Sequence, residues 1–103
     1  QYVVITGHGG PKNALYFIFD MESRSFSNAF IGTHLVWQYD DLSTAAYVDG
    51  SNILSIDGRT LAELDLAENE YVYGLSYSQD GTVLTATIVS SEETERIVRL
   101  TLP

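Results

Sequence analysis

The chain has 103 residues, 14 acidic against 5 basic, a formal charge of −9, 45% hydrophobic content and no cysteine. That size fits one domain spanning residues 1–103 with one modest core, and the apolar content suits a folded chain. The negative field disfavours nucleic acid and anionic lipid, and the lack of cysteine removes disulfide frameworks, zinc–thiolate sites and thiol nucleophiles.

No apolar run approaches the roughly 20 residues of a membrane-spanning helix. The chain opens on Gln1, with no initiator Met and no recognisable signal peptide. The expectation is a piece of a longer, exported, membrane-anchored protein whose targeting segment was removed.

In chain order, Tyr2–Thr6 (YVVIT) is a β-branched run that reads as a strand. Gly7–Asn13 (GHGGPKN) is the most glycine-dense segment and reads as a loop. Ala14–Asp20 (ALYFIFD) is apolar at both parities, which predicts a central strand covered on both faces. After a turn at 21–24, Ser25–Ile31 reads as a strand with Phe26 and Phe30 on one face, and Gly32-Thr33 as a break. His34–Tyr39 places Leu35, Trp37 and Tyr39 on one face. Asp40-Asp41 reads as a turn, and the small side chains of Ser43–Val48 predict close approach of a neighbouring layer. Asp49-Gly50 and Asp57-Gly58 bracket a short strand, Asn52–Ile56, and mark hairpins. Thr60–Leu66 has helix-forming residues, but its hairpin context predicts a strand. Tyr71–Ser78, with Tyr71, Tyr73, Leu75 and Tyr77 on one face, then Thr82–Ser90 and Glu95–Leu102 complete the pattern. The fold class expected is all-β: an antiparallel meander of about ten strands.

Offset by 40, Leu35, Trp37 and Asp40 fall on Leu75, Tyr77 and Asp80. Periods of about 40–45 residues with several strands each are typical of propeller blades. Gly74–Ala86 (GLSYSQDGTVLTA) resembles the core of bacterial β-propeller repeats of the WD40 and TolB-like kind, without the Trp-Asp and Gly-His pairs of a WD repeat. The resemblance implies blade-like repeats, but a closed propeller needs at least about four blades. The chain is therefore expected to form a partial propeller or a sandwich, too short to close. A second likeness is carried by VVITGHGGPKNALYFIFDMESRSF and HLVWQYDDLSTAAY. These segments are similar to extracytoplasmic C-terminal domains of gut Firmicutes proteins, some of which follow membrane zinc-metallopeptidase sensors of the BlaR/MecR type. The His-Glu-x-x-His of the peptidase is absent. This likeness implies a bacterial, extracellular or cell-envelope sensor domain.

Chemistry is sparse. His8 sits among glycines, as in an oxyanion-hole loop, but no Gly-x-Ser-x-Gly nucleophile elbow accompanies it, and no Gly-Lys-Ser/Thr makes the loop a phosphate cradle. His8 and His34 with Asp40 or Asp41 fall short of a zinc set, and the aspartates at 40, 41, 49, 57 and 80 fall in turns without EF-hand spacing. No cofactor and no metal ligand set is assigned. Tyr and Trp serve both cores and recognition surfaces. The candidate ligand-binding residues are His8, Lys12, Trp37, Tyr39 and Tyr77. The function expected is a non-enzymatic, exported binding or sensing domain for a peptide, glycan or protein segment. Two alternatives stand beside it: an assembly module that dimerises through its sheet edges, and a small hydrolase using His8 or His34.

Overall fold

The computed structural model describes residues 2–10, 13–27, 29–38 and 41–102. Among them are ten strands and no helix. They are β1 (Tyr2–His8), β2 (Ala14–Asp20), β3 (Ser25–Phe26), β4 (Phe30–Gln38), β5 (Asp41–Asp49), β6 (Asn52–Ser55), β7 (Thr60–Glu63), β8 (Glu70–Tyr77), β9 (Val83–Ser90) and β10 (Glu95–Thr101). All pairings are antiparallel, in a seven-stranded sheet ordered β1-β2-β4-β5-β6-β7, with β3 also on β2, and a three-stranded sheet β10-β9-β8. Neither sheet closes on itself.

The long sheet changes layer at β4. Phe30–Gly32 pairs with β2, and Thr33–Gln38 pairs with β5. Gly32-Thr33, expected to break the chain, lies inside this strand. Only glycine fits position 32, because a Cβ there would lie 2.5 Å from the Tyr47 ring and 2.6 Å from the Val48 carbonyl oxygen. A register shift follows between Thr33 and Val36. Such bulges bend a strand and let it serve two layers. The result is a stack of three meanders: a first layer of β1, β2, β3 and the start of β4; a middle layer of β4–β7; and a third of β8–β10.

Period-two alternation on β5 builds both interlayer contacts. Ala46 and Val48 face the third layer in a core with Ile53, Leu75, Leu84 and Ile88. On the other parity Tyr47 stacks on Phe30, with ring centroids 4.8 Å apart, and Phe30 stacks on Tyr16 at 5.4 Å. Ala45 and Ala46 are 1% and 0% exposed: the small residues predict close approach of a neighbouring layer, and the strand is covered on both faces.

Two sequence expectations fail at bulges. Phe26 pairs with Phe19 but Phe30 pairs with Tyr16, so the register gains one residue between them. Ser27 sits at the irregularity: its backbone N–H donates to Ile18 O while its hydroxyl accepts from Ile18 N. Phe26 and Phe30 therefore face opposite sides. On β8 the register slips between Val72 and Gly74. Val72 and Leu75 are buried, whereas Tyr71 and Tyr73 are exposed, so the expected common face of Tyr71, Tyr73, Leu75 and Tyr77 does not form. β2 is central, but only one of its faces is covered: Tyr16 and Ile18 are buried, and Leu15, Phe17 and Phe19 are half-exposed.

Candidate functional site

At the seam where β4 lies beside β8, a cleft of about 760 Å³ opens. Leu66, Tyr71, Val72 and Tyr73 supply its apolar wall; Thr33, His34 and Glu70 supply polar groups. Asn13, from the glycine-rich loop, reaches its rim.

His34 is the side-chain-bearing residue of the cleft lining that sits at positive φ. Its φ is 57°, inside the left-handed region that costs a side-chain-bearing residue roughly 1–2 kcal/mol. The bulge beside it re-aims the imidazole across the seam, where Nε2 lies 3.1 Å from Val72 O. A carbonyl oxygen only accepts, so Nε2 carries the proton. In the neutral ring Nδ1 is then an acceptor.

Glu70 stiffens the opposite wall. Its carboxylate accepts from Arg96 Nε at 2.8 Å and Nη2 at 3.0 Å, and from Ala67 N at 2.9 Å. The Arg96 hydrogen bond foremost, then that of Ala67, pulls its pKa down from 4.5 to about 2. Arg96 also donates to Asp65 O at 2.7 Å, so one guanidinium ties the β7–β8 connector, the start of β8 and β10 together. Planar, forked donation of this kind fixes geometry as well as charge.

The sequence-predicted residues are not gathered into one site. His8 ends β1, exposed, in register with Ala14. Trp37 is half-buried further along β4. Tyr77 has a structural role: it packs against the core and its hydroxyl donates to Thr44 O, tying β8 to β5. Burial pushes its phenol pKa up, so it remains a neutral donor. Lys12 and Tyr39 lie outside the described residues. Asp57 and Asp80 serve their turns: each accepts from the serine two residues before it and the backbone N–H two residues after it. The serine hydroxyl is the main cause of the lowered pKa in both. Among the described residues no three His, Asp or Glu converge as a metal site would require.

Sequence reading missed Glu70, Thr33 and Leu66 as neighbours of His34. One signal was available: Gly74 after Tyr71-Val72-Tyr73 marks a bulge, which turns the tyrosines outward. The chain matches no protein-family model, no curated protein and no solved structure.

Proposed function

We propose that the chain is a non-enzymatic binding or sensing module that holds its ligand in the cleft between β4 and β8. The observation that carries this reading is His34: a strained residue at a bulge, aimed into an apolar cleft beside exposed Tyr71 and Tyr73. Strain of this kind concentrates where a side chain is used. The tyrosines offer flat faces for a sugar ring or a peptide side chain, and His34 Nδ1 offers an acceptor to a ligand donor. The ligand class is therefore a short peptide or glycan segment that pairs an apolar face with a hydrogen-bond donor.

Kinship with propeller blades belongs to the same proposal. It is supported by the four-stranded meander β4–β7 followed by the meander β8–β10, with first strands β4 and β8 side by side. The bacterial, extracellular or envelope setting rests on the sequence likeness alone.

Thermal shift and NMR titration against peptide and oligosaccharide libraries test the reading. A ligand at a hundred times its Kd raises stability by about 2.7 kcal/mol. Tyr73 is 67% exposed, so Tyr73→Ala should keep the fold and weaken binding at least about tenfold. A library without hits, or hits indifferent to Tyr73→Ala, would count against the cleft.

A further inference from the structure

The outward face of the first layer is an uncovered half of a hydrophobic core. Register places Val3 opposite Phe19, Ile5 opposite Phe17, Phe19 opposite Phe26 and Leu15 opposite Ile31, all on the parity that points away from Tyr16 and Ile18. No charged residue occupies these positions. Val3, Ile5, Ile31 and Phe26 are 43%, 45%, 47% and 59% exposed. Phe26 stacks on Phe19 with centroids 4.8 Å apart, giving the face an aromatic ridge. The outward face of the third layer is mixed: Thr85, Thr87, Thr101, Glu95 and Arg99 are interspersed with Val83, Val89 and Ile97, as expected of a solvated antiparallel face.

Charge follows the same division. Residues 1–39 carry two basic and two acidic side chains, whereas residues 40–103 carry twelve acidic against three arginines. The whole excess of −9 therefore belongs to the part of the chain that forms most of the middle layer and the third. A partner for the first layer needs apolar surface and no compensating charge. A second copy stacked back to back supplies that surface and leaves both acidic portions at the far ends, where their repulsion is screened over more than a Debye length.

The face spans the seven-residue strands β1 and β2, flanked by the two residues of β3 and the first three of β4. It measures about 24 by about 14 Å, roughly 340 Å² in projection. Two such faces bury on the order of 700 Å² in projection and more along their side-chain relief, below the roughly 1,200 Å² of a standard interface and fit for a weak, reversible dimer. The geometry points to an isologous homodimer formed by face-to-face packing of the β1–β3 layer, a surface distinct from the sheet edges and from the β4–β8 cleft.

Sedimentation equilibrium from about 1 μM to about 1 mM spans the weak-dimer range. The wild-type chain should rise towards twice its monomer mass across it. Ile5→Lys and Phe26→Lys, both at exposed positions, should weaken association at least about tenfold with native circular dichroism retained. Ile97→Lys, at a 48% exposed position on the third layer, should leave it unchanged. A wild-type chain that stays monomeric to the highest concentration would overturn the dimer and leave the face to another protein or another segment of a longer chain. Association that survives both first-layer lysines, or is lost in Ile97→Lys, would overturn the assignment of the face and favour edge pairing or the third layer.

Discussion

Among the described residues three that bear side chains sit at positive φ: Arg24 at 55°, His34 at 57° and Glu93 at 63°. Arg24 and Glu93 occupy hairpin turns where glycine is the relaxed choice. Ser55–Arg59 and Ser90–Thr94 make the same pair of backbone bonds, and the turn position of Glu93 is filled by Gly58 in the other hairpin. Glu93→Gly should therefore stabilise the fold by up to about 1 kcal/mol, with relief of left-handed strain exceeding glycine's added chain entropy. A shift of the urea midpoint to higher concentration at unchanged m-value is the reading expected; a lower midpoint would show that the side chain contributes something the turn geometry does not explain. Gly32 is the converse case. Its missing Cβ makes room for Tyr47 and for the Val48 backbone, and backbone cannot rotate away. Gly32→Ala should cost about 1–3 kcal/mol, measured by the same denaturation curves. His34 differs from Arg24 and Glu93 in its place: it lies inside β4 and lines the cleft, not a hairpin turn.

At the scale of elements, the stability of the cleft wall depends on pH through Glu70. Its pKa is lowered from 4.5 to about 2 in the folded chain by Arg96 and Ala67. A depressed carboxylate pKa contributes stability that is fully present above about pH 4.5 and is lost as pH falls towards about 2. Chemical denaturation at stepped pH should show a steeper acid loss in the wild-type chain than in Glu70→Gln, the two curves converging at the lowest pH. Parallel curves would mean that the Arg96 contact has no weight in solution. Glu70 and Arg96 are 26 residues apart, and nothing local in either segment announces the pairing. The strands themselves were legible: apolar runs, alternation and Asp-Gly turns mark β2, β6, β9 and β10 nearly to the residue, whereas β5 begins at Asp41, read as a turn, two residues before the expected Ser43. Val98 and Leu100 pack inward as alternation requires. Faces failed wherever one inserted residue reversed parity, as at Ser27 and before Gly74, because period-two reading carries no mark of a bulge. The cleft was hidden for the same reason: its tyrosines and its histidine reach it only through bulges.

Across the whole molecule the three layers are unequally held. The middle and third layers share a core in which Leu84, Ala86 and Ile88 of β9 are fully buried and β9 is paired on both sides. The first layer meets the middle one through Tyr16, Phe30 and Tyr47, and its outward face is bare in the single chain. The radius of gyration, 14.0 Å, exceeds the roughly 13 Å of a compact domain this long, and the extents of 45 × 33 × 20 Å describe an elongated stack. Native-state hydrogen exchange should resolve this as two levels of protection. Amides of β9 should exchange only through global unfolding, while those of β1 and β2 should exchange through an opening at lower free energy that detaches the first layer. Leu84→Ala should remove about 2–5 kcal/mol from the slow class, because the cavity forms where no solvent can fill it cheaply. It should leave the first-layer opening nearly unchanged, since that event does not expose Leu84. Equal acceleration of exchange in both layers would instead make the molecule one cooperative unit. Dilution offers the second half of the test: if first-layer protection rises with protein concentration while that of β9 does not, the bare face is what association covers.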